Sequence, residues 1–302
     1  MFSEATTQLS SLAGKFGMTV VRDCAFSYVG KVPTALPRKL VPCGKLIHVR
    51  EAAGRTDIAG IVTTAELAER VPPHVGLATA HRPLAAVYAL HDHLVGVPGL
   101  LWEDFETEIA SDAVIEAGAV IAPRNVRIGA GTRIAAAAVL HERTIVGDRC
   151  SIGNHSVIGS SAFEVETVDG RQRIMPQAGG VLIEDNVEIL AQTVVARATF
   201  GGFTRIGAGT KIDNLVHVGH DCSIGHDVQI VCGAKFGGRT TIGDRAFIGS
   251  NAVTSPGLTI GADARVSMGA VVVKDVAEKQ VVSGHFAVEH MKWLRFISSA
   301  LR

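Results

Sequence analysis

The stretch from Ile206 to Ile260 reads IGAGTKIDNLVHVGHDCSIGHDVQIVCGAKFGGRTTIGDRAFIGSNAVTSPGLTI, and it decides the fold. A bulky apolar residue occupies every sixth position except Thr254, and a mostly small residue follows each of them four positions later. The bulky positions are Ile206, Ile212, Val218, Ile224, Ile230, Phe236, Ile242, Ile248 and Ile260, and Val266 and Val272 continue the series. A six-residue period fits neither an α-helix nor an alternating strand, but it is typical of a parallel β-helix.

Three hexads make one triangular coil, so residues 18 positions apart stack at the strand spacing of about 4.8 Å. The hexad begins near Ile109 and reaches Ile158 after a one-residue shift. It then breaks over residues 159–182 and resumes at Ile183. Long excursions from a compact repeat are uncommon and often functional. We therefore predict that residues 159–182 form a substrate or interface loop.

The pattern divides the chain into three predicted domains. Residues 1–100 lack the hexad, and we predict a small α/β domain for substrate recognition. Residues 101–284 are predicted to form the β-helix. Residues 285–302 carry an apolar stripe at helical spacing, so we predict a short C-terminal helix that caps the open end of the solenoid. The predicted fold class is thus mainly β.

Within the first domain, two runs look like strands and one like a helix. The predicted strands are Lys45–Val49 and Ala59–Thr63, because both are short and largely apolar. The predicted helix runs from Pro83 to Leu94, where apolar residues recur at helical spacing and Pro83 suits the first turn.

Composition limits the kinds of function to consider. The chain has 302 residues, 47% of them hydrophobic, and a formal net charge of zero. This charge argues against a bulk affinity for nucleic acid or anionic membranes. We expect a cytoplasmic protein, because the five cysteines include no CxxC pair and no segment is apolar enough for a signal peptide or a membrane span. Cys150 and Cys222 fall on the small inward position and are predicted to be core residues.

The most informative polar residue is His220. An interior filled with Ile and Val leaves no room for a ligand, so function must lie on outer faces, loops or edges. His220 is two residues past the inward Val218, and Gly238 follows 18 residues later at the same corner of the next coil. The imidazole could take a proton from a nucleophile while the Gly238 N–H stabilises an oxyanion. Alternatively, His217, His220 and His226 are merely solvated repeat positions; the register with Gly238 favours function. Their spacing fits no zinc motif, so no metal is expected.

Three segments resemble the UDP-3-O-acylglucosamine N-acyltransferase family of lipid A synthesis, and we expect the resemblance to cover nearly the whole chain. The first is Ile212-Asp213-Asn214 followed by His220. The second is the excursion, with Phe163 and Pro176-Gln177. The third is the exit from Ser283 to Arg295.

This resemblance implies a left-handed β-helix and a homotrimer, with the acyl group lying in a cleft between subunits. The implied reaction moves an acyl chain from an acyl carrier protein thioester, or from acyl-CoA, to the amine of a nucleotide-linked amino sugar, without a bound cofactor or metal. His220 falls on the family's general base and Gly238 on its oxyanion glycine. Substrate contacts are predicted at Asp213, Asn214, His217, Phe163 and Gln177.

The chain also departs from the family pattern at two places. The family holds uracil between aromatic rings, whereas the comparable stretch here, Leu46 to Ala53, has no aromatic residue. A second family histidine appears here as Pro256. Two alternatives therefore stay open: an acetyl-CoA-dependent sugar N-acetyltransferase, and a non-catalytic trimeric scaffold that binds a sugar or a partner.

Overall fold

The computed structural model describes residues 5–168, 170–284 and 289–300. Between residues 108 and 282, short strands stack in parallel into three sheets. Each sheet forms one side of a triangular coil, because consecutive strands of the chain enter the three sheets in turn. The predicted mainly β fold, a left-handed parallel β-helix of hexapeptide repeats, is confirmed.

The three sheets are called here the first, second and third face. The strands of the first face are Glu108–Ile109, Val126–Ile128, Thr144–Val146, Gly180–Ile183, Phe203–Ile206, Ser223–Ile224, Thr241–Ile242 and Thr259–Ile260. Those of the second face are Val114–Ile115, Arg133–Ile134, Ser151–Ile152, Glu188–Ile189, Lys211–Ile212, Gln229–Ile230, Phe247–Ile248, Arg265–Val266 and Val281–Val282. Those of the third face are Val120–Ile121, Val139–Leu140, Val157–Ser160, Val194–Ala196, His217–Val218, Lys235–Phe236, Val253–Thr254 and Val271–Val272.

The predicted 18-residue register is present in the uninterrupted block. His217, for example, pairs with Lys235 on the next coil. The bulky hexad residues point inward and form one continuous core, which also contains Cys150 and Cys222 as predicted. Thr254, the polar exception, is buried as well, but its hydroxyl lies 3.0 Å from that of Thr240. The buried hydroxyl of Thr254 therefore keeps a hydrogen-bond partner, which offsets the cost of removing it from water.

Glycine often follows the bulky residue because the next coil lies very close. A Cβ on Gly207 would be 2.5 Å from the carbonyl carbon of Gly225, one coil further on. A Cβ on Gly225 would in turn be 2.8 Å from the backbone nitrogen of Asp244. Side chains at these positions would push the coils apart, so the recurring Ile-Gly pair follows from the tight stacking of backbones.

The N-terminal region is an α/β unit. Its strands are Thr7–Gln8, Thr19–Arg22, Ala25–Phe26, Tyr28–Val29, Lys39–Cys43, Ile58–Thr63 and Gly76–Thr79. Its α-helices are α1 (Leu9–Leu12), α2 (Leu46–Ala53) and α3 (Pro83–Val95), with 3-10 turns at Ala13–Phe16 and Ala65–Arg70. Five of the strands form one mixed sheet, in which only the pair Thr19–Arg22 and Gly76–Thr79 is antiparallel.

One secondary-structure prediction in this region is wrong. Lys45–Val49 was predicted as a strand, but Leu46–Ala53 is helix α2. Val49 and Ala52, three residues apart, are buried, whereas Ile47 is 68% exposed. An alternating strand would have buried Ile47 with Val49, so the buried face follows the helical period. The predicted strand at Ala59–Thr63 and the helix from Pro83 are confirmed.

The excursion is more regular than a loop. It contains an antiparallel hairpin of Val165–Val168 and Arg171–Ile174. The segment that follows the hairpin returns to the N-terminal unit, where Met175 and Phe200 join its buried core. The ring nitrogen Nε2 of His91 on α3 lies 2.9 Å from the carbonyl oxygen of Pro176, and burial lowers the pKa of His91. The N-terminal unit and the β-helix are thus held together by a shared core.

The C-terminal helix α4 runs from His290 to Ala300. Residues 285–288 and 301–302 of the predicted helix lie outside the described residues. Met291, Leu294 and Phe296 on α4 are 45–54% exposed, and its capping role stays a prediction, as do the domain boundaries at 100 and 284. No helix in the described ranges is long and apolar enough to cross a membrane.

The inward and outward positions of one strand should differ sharply in their effect on stability. Ile230 is 2% exposed in the core, whereas its neighbour Gln229 is exposed. We expect Ile230→Ala to lower the free energy of unfolding by about 2–5 kcal/mol, because it removes buried methyl groups and leaves a cavity. Gln229→Ala should change it by less than about 0.5 kcal/mol. Denaturant unfolding of the two variants measures both values; equal effects would contradict the assigned register.

Candidate active site

His220 lies at the corner between the third and first faces, just after the strand His217–Val218. Its side chain is outside the coil, as predicted, but only 12% exposed, because the excursion covers it. Nδ1 of His220 lies 2.7 Å from Oδ2 of Asp221. A carboxylate at this distance favours the tautomer that carries its proton on Nδ1. The other ring nitrogen, Nε2, is then free to accept a proton.

Asp221 is held by three hydrogen bonds that it makes with two threonines. The backbone N–H of Thr199 donates to Oδ1 at 3.1 Å, and its hydroxyl donates to Oδ2 at 3.1 Å. The hydroxyl of Thr204 accepts from the backbone N–H of Asp221 at 2.9 Å. Asp221 itself adopts a left-handed backbone conformation, which Asp tolerates better than most residues. The carboxylate is therefore fixed before it orients the imidazole.

Gly238 lies directly against the imidazole, as the 18-residue register predicts. A Cβ on Gly238 would be 2.4 Å from Nε2 of His220, so only glycine fits beside the ring. The adjoining residue Arg239 donates its backbone N–H to the carbonyl of His220 at 2.8 Å, which locks the two coils together. Among the described residues, no acceptor bonds the Gly238 N–H. The base and an unused backbone donor therefore lie side by side.

Glu164 is the unexpected member of the site. It opens the hairpin of the excursion, and its side chain is 7% exposed. Oε2 lies 3.8 Å from Nε2 of His220 and accepts from Nη2 of Arg239 at 2.5 Å. Oε1 accepts from the ammonium of Lys31 and, at 3.1 Å, from the hydroxyl of Tyr88. Glu164 thus joins the N-terminal unit, the excursion and the β-helix at a point beside the imidazole.

The two cations decide the charge of this carboxyl group. Burial alone would raise the pKa of Glu164. The hydrogen bond from Lys31, together with the charge and hydrogen bond of Arg239, outweighs burial and lowers the pKa to about 2. Glu164 is therefore ionised at any ordinary pH.

The predicted substrate-contact residues are spread over a wider region. Asp213 and Asn214 lie at the preceding corner, between the second and third faces. Oδ1 of Asn214 accepts a hydrogen bond from the backbone N–H of Ala191 at 3.0 Å. Oδ2 of Asp213 accepts one from the backbone N–H of Cys232 at 3.1 Å, so both side chains stabilise turns. His217 is exposed on the third face.

The two predicted contacts in the excursion differ from each other. Phe163 is 82% exposed next to Glu164. Gln177 donates to the carbonyl oxygens of Met175, at 2.5 Å, and Ala162, at 3.3 Å, and so holds the excursion in shape. The roles of all five residues in substrate binding stay predictions.

Sequence reasoning missed several members of the site. Asp221 could have been found, because it adjoins His220 and falls at a corner where its side chain can reach back. No pattern in the sequence relates the other three members, which are Glu164, Lys31 and Arg239. Glu164 is 133 residues from Lys31 and 75 residues from Arg239. In the described part of the chain, no group of three or more His, Cys, Asp or Glu side chains is arranged to hold a metal ion.

Two family models support the repeat assignment. Residues 239–274 match the model of the hexapeptide repeat of succinyl-transferase, and residues 125–160 match that of the bacterial transferase hexapeptide. A solved UDP-N-acetylglucosamine acyltransferase from Francisella novicida is 22% identical, with a TM-score of 0.48, over 63% of this chain and 71% of that protein.

Two curated relatives are UDP-3-O-acylglucosamine N-acyltransferases. The protein from Wolinella succinogenes is 37% identical over 48% of this chain and 45% of its own length. One from Gloeobacter violaceus is 39% identical over 46% of this chain and 41% of its own length. The chain spans about half the length of the curated relatives that it matches, and the matches cover about half of this chain rather than nearly all of it. The chain is therefore a hexapeptide-repeat protein that is similar to the UDP-3-O-acylglucosamine N-acyltransferases.

Proposed function

We propose that this protein is an N-acyltransferase that moves an acyl group from a thioester to the amine of a nucleotide-linked amino sugar. The observation that carries this proposal is the oriented imidazole of His220 beside the unused N–H of Gly238. Similarity to UDP-3-O-acylglucosamine N-acyltransferases supports the same class of reaction.

The geometry suits a direct transfer. The amine of the acceptor attacks the thioester carbonyl carbon, and Nε2 of His220 takes the proton that the amine loses. The Gly238 N–H donates to the oxygen that becomes negative in the tetrahedral intermediate. When the C–S bond breaks, the imidazolium returns its proton to the thiolate. Asp221 stabilises the imidazolium throughout, because its carboxylate lies 2.7 Å from Nδ1.

A cavity next to Lys31 supports a nucleotide-linked acceptor. It has a volume of about 530 Å³ and is lined by Lys31, Pro33 and Pro42 and by Lys45 and His48 of the α2 region. The ammonium groups of Lys31 and Lys45 suit phosphate, Glu51 adds one carboxylate, and the remaining walls are largely apolar. None of these lining residues is an aromatic ring of the Phe, Tyr or Trp type, so the base would pack against proline and aliphatic groups.

The third face supports assembly around a threefold axis. The outward-pointing residues of its stacked strands, which form the outward column of the face, are mainly valine. Those of the first face are mainly charged or hydroxylated. The outward residues of the third face are Val120, Val139, Val157, Val194, His217, Lys235, Val253 and Val271. We propose that this face packs against a second copy in a homotrimer, which would place the acyl group beside His217.

We further propose that the donor is an acyl carrier protein thioester, or acyl-CoA, and that the protein works in the cytoplasm without a bound cofactor. All five cysteines are free, in line with a reducing compartment.

Removal of the proposed base should abolish transfer. We expect His220→Ala to lower kcat by about 100-fold or more, because general-base catalysis contributes about that much. His226→Ala is the matched control, since His226 is an exposed histidine on the same coil stack, paired with Glu184 and Asp244. Mass spectrometry of the product formed from UDP-linked amino sugars with acyl-ACP, acyl-CoA and acetyl-CoA measures turnover. Near wild-type turnover by His220→Ala would remove this residue from the mechanism, and transfer from acetyl-CoA alone would favour the N-acetyltransferase.

Gly238→Ala should be nearly as damaging. The new Cβ would meet Nε2 of His220 at 2.4 Å and displace the ring from its bond with Asp221. We expect kcat to fall by about 100-fold, because alanine keeps the backbone N–H but the displaced imidazole can no longer act as the general base. Gly14→Ala is the control, because a Cβ there meets no atom within 4 Å. If Gly238→Ala keeps full kcat with an unchanged melting temperature, the proposed arrangement is wrong.

Charge on the third face should prevent assembly. We expect the double variant Val253→Glu and Val271→Glu to sediment as a monomer, because like charges stacked at an interface would repel. Thr241→Glu with Thr259→Glu places the same charges on the outward column of the first face. This control should keep the oligomeric mass of the wild type in analytical ultracentrifugation. A trimer that survives the valine substitutions would show that another face forms the contact.

A further inference from the structure

Glu164 stands where an acceptor must arrive. Its Oε2 is 3.8 Å from Nε2 of His220. This distance is too long for a hydrogen bond between the two groups and too short for a substrate atom to lie between them. The carboxylate is nevertheless held firmly, because Lys31, Arg239 and Tyr88 all donate to it. A substrate that reaches the base must therefore either avoid these cations or use them.

Arg239 has a donor that Glu164 does not satisfy. Its Nε is buried and makes no hydrogen bond to any residue in the described ranges, whereas its Nη2 donates to Oε2 of Glu164. Lys31 and Tyr88 donate to Oε1 and Arg239 donates to Oε2, and this contact engages the guanidinium through Nη2 alone. A phosphate offers a further oxygen and can take both Nε and Nη2 of the guanidinium in a fork. A phosphate in this place would therefore satisfy the donor that the Glu164 carboxylate leaves without a partner.

We propose that Lys31 and Arg239 form an anion site that Glu164 fills in the free protein, and that the sugar-linked phosphate of the acceptor displaces Glu164. This inference rests on the proposed function for the identity of the acceptor. In a 2-amino sugar nucleotide, the phosphate and the amine are attached to adjacent carbons. A phosphate oxygen in the position of Oε2 thus brings the amine within reach of Nε2 of His220.

The surroundings of the site suit this exchange. Lys31 also lines the cavity of about 530 Å³, so a nucleoside in that cavity would carry its phosphates toward Arg239. Glu164 begins the hairpin of the excursion, and its carboxylate can leave by rotation of its side chain while the excursion stays in place. Release does not depend on protonation, because the cations keep the pKa of Glu164 at about 2. Displacement by another anion is the available route.

A purely structural role for Glu164 predicts a different behaviour. An ion-paired tie between the N-terminal unit and the β-helix would be weakened by Glu164→Gln, and the melting temperature would fall without any gain in anion binding. The anion-site proposal requires a gain, because two cations lose their internal competitor while the side chain keeps its size.

The test is calorimetric titration of the full chain with inorganic pyrophosphate and with UDP. Glu164→Gln should bind pyrophosphate at least tenfold more tightly than the wild type, and adding Arg239→Met should abolish the gain. The matched control is Asp263→Asn, which removes a carboxylate from another Arg pair, Arg245–Asp263, on an exposed part of the coil stack. It should leave pyrophosphate affinity unchanged. Equal affinities of the wild type, Glu164→Gln and Asp263→Asn would overturn the proposal.

Two further measurements keep the outcome clear. Should Glu164→Gln fail to fold, Lys31→Met in the otherwise native chain must weaken pyrophosphate binding, and an unchanged affinity there would equally overturn the proposal. Pyrophosphate binding needs no acyl transfer, so failure of the anion site and failure of the proposed reaction are separate results. With an active acceptor, Arg239→Met should raise the KM for the acceptor more than the KM for the donor.

Discussion

The stacking of one coil on the next is the constraint on which the rest of the structure depends. Parallel pairing between residues 18 apart leaves no room for side chains where two backbones meet, as at Gly207 and Gly225. It also favours apolar groups at the inward positions, and the buried hydroxyl of Thr254 is paired with that of Thr240. The same close contact creates the candidate site, because it presses the ring of His220 against the backbone at Gly238.

The coil alone supplies an incomplete site. His220, Asp221 and Gly238 come from two adjacent coils and are placed by the repeat, whereas Lys31 and Tyr88 come from the N-terminal unit and Glu164 from the excursion. The shared core of α3, the excursion and the segment around Phe200 keeps these parts in contact. The proposed base and its oxyanion donor thus belong to the repeat, whereas the ion-paired groups beside them belong to the N-terminal unit and the excursion.

Structural features that repeat along the chain could be predicted from the sequence alone. Hexad spacing predicts the β-helix, and the same arithmetic places Gly238 beside His220. The local pattern gave a wrong prediction at Leu46–Ala53, because a short apolar run there suits either a strand or a helix. The spacing of the buried residues in the structure is that of a helix. The ion-paired cluster of Glu164 could not be predicted, because its partners are far apart in the chain and no periodicity relates them.

The excursion is inserted at a corner of the coil, and the strands on both sides of it remain paired. Thr144 to Val146 still pair in register with Val181 to Ile183, although the insertion separates them by 37 residues instead of 18. The stack therefore accepts an added hairpin at a corner while the strands on either side stay paired, with one register shift between Ile158 and Ser160. In evolution, hairpins of other lengths and charges can be exchanged at this corner while the histidine and its glycine stay in place. Under the proposed function, the choice of acceptor would then diverge without any change in the groups that make the bond.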